Sequence, residues 1–132
     1  MNSFAPMGRI TARVTIENVL DPTKRIETDA LVDTGAFMLT LPQAWQSRLG
    51  DLVTRETEVL TATQQRIMAK VGGPVQIQIA GFPKINSEVC FIDMAAEEEP
   101  EPLIGYITLE QSQAAVDMVG HRLTHVRYMD MK

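Results

Sequence analysis

The sequence is poor in aromatics, at 5%, and holds a single cysteine among 132 residues. With so few rings, a core must be built mainly from Val, Ile, Leu, Ala and Met. One thiol, Cys90, excludes an intramolecular disulfide. Its place in "SEVCFID" reads as a buried, inert position in a strand. A reducing compartment, most simply the cytoplasm, is expected. Basic clusters are also missing: Lys and Arg are scattered singly and the net charge is −5. Nucleic acid is therefore not an expected partner, because a phosphate backbone calls for clustered positive charge. No apolar run is long enough to span a bilayer, so no membrane partner is expected. The opening "MNSFAPMGRITARV" has neither a basic leader nor a continuous apolar stretch, and no signal peptide is expected there.

What is present is period-two alternation. Ile10, Ala12, Val14 and Ile16 fall on one face, opposite Thr11, Arg13, Thr15 and Glu17. Asp-Pro chemistry in "LDPTK" predicts a turn at Leu20–Lys24, after which "RIETDALV" runs extended into Asp33. "FMLTL" reads as a short strand, and Pro42 opens a short helix that Gly50 ends. Extended segments on both sides of Thr61–Arg66 predict a hairpin with a glycine-free tip. Two further strands are punctuated by Gly72-Gly73 and by Gly81-Phe82-Pro83. The acidic stretch Ala95–Pro102 reads as a solvated loop. "YITLEQSQAAVDM" is the best helical window, with Thr108 as its cap and Leu109, Ala115 and Val116 on one face. "HRLTHVRY" closes the chain as a strand. The expectation is a single, mostly β domain over residues 1–132, with its core at about 10–126 and two small helices.

Candidate chemistry centres on "ALVDTGAFMLTLP". Asp33 stands between an apolar run and Gly35, which suits either a turn or a reacting carboxylate. His121 and His125 are four apart. In a strand that places them about 13 Å apart, too far to share one ion; in a helix no third ligand completes a set. Surface or partly buried histidines are the simpler reading.

The combination of Leu31-Val32, Asp33-Thr34-Gly35-Ala36, a mid-chain hairpin and Leu103-Ile104-Gly105 before a helix resembles the retropepsin-like aspartic proteases. The likeness runs from about Ile10 to Val126. It implies an all-β, closed barrel-like fold and an aspartic endopeptidase acting on extended polypeptide, with no metal or organic cofactor. It implies that Asp33 is catalytic, supported by Thr34, Gly35, Ala36 and Gly105, with Ala62, Thr63, Gln64 and Gln65 in a flap over the substrate. Only one Asp-Thr-Gly is present, so one chain carries half a site and the resemblance implies a homodimer. The tip "TATQQR" lacks the glycines usual in such flaps. A catalytically silent dimeric peptide-binding or scaffold module on the same fold is the alternative that this feature favours.

Overall fold

The computed structural model describes residues 9–61 and 63–127. The chain begins with a β-hairpin, β1 (Thr11–Asn18) and β2 (Asp21–Val32), paired from Thr11↔Leu31 to Asn18↔Asp21. The alternation of β1 is realised: Ile10, Val14 and Ile16 are buried, while the residues between them are open to solvent or half-buried. The turn is Val19–Leu20 rather than Leu20–Lys24. Asn18 explains the shift. Its Oδ1 accepts the Leu20 N–H at 2.9 Å, and its Nδ2 donates to the carbonyls of Leu49 and Asp51, both at 2.8 Å. A buried amide holds the chain reversal, and Asp21-Pro22-Thr23 is taken up at the start of β2.

After the Asp33 loop come β3 (Thr40–Pro42) and a 3₁₀ helix, Gln43–Leu49, which ends at Gly50 with φ 67°. Leu49 is fully buried, and the Arg48 guanidinium lies 4.7 Å from the Trp45 ring centre. β4 (Val53–Leu60) and β5 (Arg66–Ile79) form the long mid-chain hairpin. β5 runs through Gly72-Gly73, where a break was expected; the pair marks a register shift against β6 (Ile85–Ile92) between Gly72 and Val75. A bulge absorbs the extra backbone without ending the strand.

β7 (Leu103–Ile104) pairs parallel to the end of β2. The seven strands run in the order β1-β2-β7-β3-β6-β5-β4, and an added β1–β5 pairing closes six of them into a ring. β4 hangs outside the ring on β5 alone. Val14, Ile16, Leu39, Leu41, Leu49, Val75, Ile77, Ile79, Val89, Phe91 and Ile104 fill the ring's interior. This is the mostly β, barrel-like architecture that the sequence predicts.

The C-terminal part differs from expectation. Helix α1 covers only Tyr106–Gln111, and Gln113 adopts φ 55°, which ends the helical path. Residues 114–117 are not helical. They form β8 (Ala114–Asp117), paired with β9 (Arg122–His125) as a separate two-stranded sheet.

Candidate active site

Asp33 stands directly after β2, where the ring's strand pairing gives way to a loop. Four hydrogen bonds tie that loop to the chain around α1. The Asp33 N–H donates to the Ile104 carbonyl, Tyr106 N–H to the Ala36 carbonyl, and Ile107 N–H to the Phe37 carbonyl, each at 2.9 Å. Leu39 N–H donates to Thr108 Oγ1, also at 2.9 Å. Within the loop, the Gly35 N–H donates to Asp33 Oδ1 at 2.9 Å and the Ala36 N–H to the Asp33 carbonyl at 3.0 Å. One carboxylate oxygen is thus oriented by the backbone. Among the described residues, no ion pair involves Asp33.

Gly105 is what lets these segments cross. A Cβ there would sit 2.4 Å from the Met38 nitrogen, 2.6 Å from the Ala36 carbonyl oxygen and 2.7 Å from the Met38 oxygen. All three are backbone atoms, so only glycine fits without moving the loop. Gly35 and Thr34 are exposed, and Asp33 and Ala36 are half-buried. The structure therefore gathers Asp33, Thr34, Gly35, Ala36 and Gly105 into one locked crossing.

Thr108 takes a different part from the one expected. Helix α1 is preceded by Gly105 and has no side-chain cap; the buried Thr108 hydroxyl instead accepts from Leu39. This contact spans 69 residues, and nothing local in the sequence announces it.

The hairpin tip lies at residues 61–65. The Thr61 N–H donates to the Gln65 carbonyl and the Gln64 N–H to the Thr61 carbonyl, both at 2.9 Å. Gln64 itself has φ 66°, so a glutamine adopts the left-handed conformation the tight tip requires. Thr63, Gln64 and Gln65 are exposed; Ala62 lies outside the described residues. The hairpin is tied to the Asp33 loop by a second apolar cluster. There Met38, Ala69, Val71 and Cys90 are buried, with half-buried Phe37, Val59, Ile92 and Ile107 packed against them. Burial pushes the Cys90 thiol up to about 11, opposed by a hydrogen bond with Thr40. It is a packing residue rather than a nucleophile.

The histidines do not converge. His121 occupies the β8–β9 turn with φ 57°, whereas His125 stacks on Phe82 at 4.3 Å and bonds to the Gly81 carbonyl through Nε2 at 2.7 Å. The acidic loop 97–100 is exposed, and its end is anchored by an ion pair between Glu101 and Arg9.

A single aspartate at the mouth of a strand-closed ring, on a loop locked by a glycine crossing and flanked by a projecting hairpin, defines an acid-protease type of domain. A family profile described as "Aspartyl protease" matches residues 12–108, and the chain belongs to that family, which is of the retropepsin-like type. No curated protein matches the chain. Family membership supports a general aspartic protease function.

Proposed function

We propose that the protein is an aspartic endopeptidase whose active site forms when two copies bring their Asp33 carboxylates together across a two-fold axis. The observation that carries this reading is the state of Asp33. One oxygen is fixed by the Gly35 N–H, the carboxylate has no basic partner among the described residues, and the loop is held rigid from behind. The Gly35 bond by itself is the kind a turn aspartate makes, as at Asp93 and Asp117; what sets Asp33 apart is the Gly105 crossing that holds its loop from behind.

Two carboxyl groups about 3 Å apart do not both carry charge, a property known for aspartic proteases as a class. In such a pair one carboxylate takes a proton from water as the oxygen attacks the scissile carbonyl carbon, and the other gives its proton to the carbonyl oxygen. Collapse of the tetrahedral gem-diol then breaks the C–N bond: the carboxyl that took the water proton gives it to the leaving amine, and the other carboxylate takes a proton from a gem-diol hydroxyl as the carbonyl re-forms, so the pair again holds one proton. Neither step calls on a metal or organic cofactor.

Thr34 and Gly35, exposed beside Asp33, lie where a second copy would meet the first. Thr63, Gln64 and Gln65 would cover an extended polypeptide, which can add its backbone to strand edges in the manner of an extra strand. A cytoplasmic location fits the single buried thiol.

The test is cleavage of a diverse peptide library between pH 4 and 7, comparing the protein with Asp33→Asn. Loss of roughly 10²–10⁴ in rate, the usual worth of an acid–base pair, is expected. Equal cleavage by both would refute the assignment. No cleavage by either, from a dimer that binds peptides, would instead establish the silent module.

A further inference from the structure

We propose that Thr108 is a positioning residue for Asp33: through its hydroxyl it fixes the far end of the Asp33 loop on α1, and so sets where the carboxylate stands. The proposal rests on the endopeptidase reading above and adds a residue to it.

Of the bonds that tie the Asp33 loop to the chain around α1, three run between backbone groups, which any sequence supplies. The fourth, from Leu39 N–H to Thr108 Oγ1 at 2.9 Å, is the one that depends on a side chain. Its need follows from where the strands end. β7 pairs with β3 at a single position, Thr40↔Leu103, and the carbonyl of its last residue, Ile104, already accepts the Asp33 N–H. Leu39 sits one residue before β3, is fully buried, and has its carbonyl taken by the Cys90 N–H at 2.9 Å. Its N–H meets α1 instead of a strand. A buried N–H cannot be left without an acceptor except at the full cost of its desolvation. Thr108, itself fully buried, provides that acceptor.

The contact with α1 runs in both directions. Tyr106 and Ile107 open the helix, where N–H groups have no partner within it. They donate to the Ala36 and Phe37 carbonyls, both at 2.9 Å. Thr108, the next residue, accepts in the opposite sense from Leu39. Two donors alone leave the first turn free to pivot against the loop, and an acceptor one residue further on fixes its rotation. From there the constraint passes inward. Ala36, held by Tyr106, gives its own N–H to the Asp33 carbonyl at 3.0 Å, and the Gly35 N–H holds Asp33 Oδ1 at 2.9 Å. Asp33 and Leu39 are the two clamped ends of one loop, and releasing Leu39 loosens the bonds that aim the carboxylate.

Position matters because two carboxyl groups share a proton only at close range. As they separate, the lower pKa rises, the upper one falls, and the pH window that holds one shared proton narrows. Among the described residues no ion pair reaches Asp33, and the titratable side chains of α1, Tyr106 and Glu110, are exposed. Thr108 carries no charge, so a change in that window on altering it reports geometry.

Peptide cleavage and its pH profile are measured on the unaltered chain, Thr108→Val, Thr108→Ser, Thr108→Cys and Asn18→Ala. Thr108→Val keeps the shape and removes the acceptor. It is expected to lower kcat roughly 10- to 100-fold, in line with a displacement of up to about 1 Å, and to narrow the bell-shaped profile. KM should stay within about threefold, because a buried side chain does not meet the substrate. Thr108→Ser restores the acceptor, and with it the width of the profile and kcat to within about threefold. Thr108→Cys, a weaker acceptor, should fall between, and it serves should valine prevent folding. Asn18→Ala removes buried bonds at the other end of the β1–β2 ladder and should leave kcat and width unchanged per folded molecule. Unchanged kcat and width in Thr108→Val, or an equal loss of kcat in Asn18→Ala, would overturn the proposal and leave Asp33 its role. If the unaltered chain cleaves nothing, the endopeptidase reading fails and NMR decides Thr108. The Gly35 amide, bonded to Asp33 Oδ1, reports the Asp33 titration. A smaller titration step in Thr108→Val sustains the positioning role, and an equal step overturns it.

Discussion

Gly105→Ala is the most exacting test of the locked crossing. The added methyl would begin 2.4 Å from the Met38 nitrogen and 2.6 Å from the Ala36 oxygen. Ordinary carbon contacts to such atoms start near 3.4 Å, so backbone must give by about 1 Å. The loop cannot yield without stretching the bonds that bracket it: Asp33 N–H to Ile104, Tyr106 N–H to Ala36, Ile107 N–H to Phe37 and Leu39 N–H to Thr108. Losing two of these at about 1 kcal/mol each, with overpacking of about 1–3 kcal/mol, gives a destabilisation of roughly 3–5 kcal/mol. That is a large part of the 5–15 kcal/mol typical of a domain, as roughly estimated. A displacement of about 1 Å at a catalytic group also costs about 10² in rate. Urea unfolding and peptide cleavage read the two effects. Gly81→Ala is the control, since Gly81 has φ 88° but nothing within 4 Å of a built Cβ. It should cost about 1–2 kcal/mol from backbone strain alone and leave cleavage intact. A Gly105→Ala loss below that of Gly81→Ala, or unchanged cleavage, would refute the argument.

Asn18→Ala should destabilise by about 2–4 kcal/mol in urea titration, because it leaves the carbonyls of Leu49 and Asp51 and the Leu20 N–H without their partner. Cys90 gives an alkaline signature. Its folded value of about 11 lies above the ordinary 9.0, so the folded state keeps a proton that the unfolded chain releases. The stability linked to this group is present below pH 9 and lost as pH rises toward 11, by on the order of 1–3 kcal/mol. Cys90→Ala should lose less stability over that window than the unaltered chain; equal losses would rule out the linkage. Gln64→Gly relieves a left-handed glutamine and should stabilise the tip by up to about 1 kcal/mol, seen as slower amide exchange at Thr61–Gln65. Faster exchange would mean that glycine's extra freedom in the open tip outweighs the relief.

Local patterns carried the parts of the fold that local physics decides. Alternation from Ile10 to Ile16 located β1 and its buried face, because strand period and burial act on the same residues. The Asp33 triplet, with Leu103-Ile104-Gly105 before a helix, predicted which segments meet, and the Cβ distances at Gly105 supply the reason for that spacing. The turn at Val19–Leu20 escaped because an apolar pair carries no turn chemistry. Its director is Asn18, whose partners lie 31 and 33 residues away. Thr108 escaped for the same reason: its hydroxyl serves Leu39, not its own helix.

The C-terminal window shows how a periodic reading fails and what replaces it. Leu109, Ala115 and Val116 do share a helical face on paper, and Tyr106–Gln111 is helical. The closing element, however, must cover the Asp33 end of the ring, and a continued helix would direct Ala114 and Val116 to different sides. A left-handed Gln113 switches the chain to period two, which sends Ala114, Val116 and Leu123 to the core together. Local preference for helix over 114–117 is weak, with Ala-Ala-Val-Asp mixing a strong former with poorer ones, so about 1–2 kcal/mol of burial per apolar side chain is enough to reverse it. The same switch pairs β8 with β9 alone, so the residue that ends α1 also starts the two-stranded sheet that closes over this end of the ring.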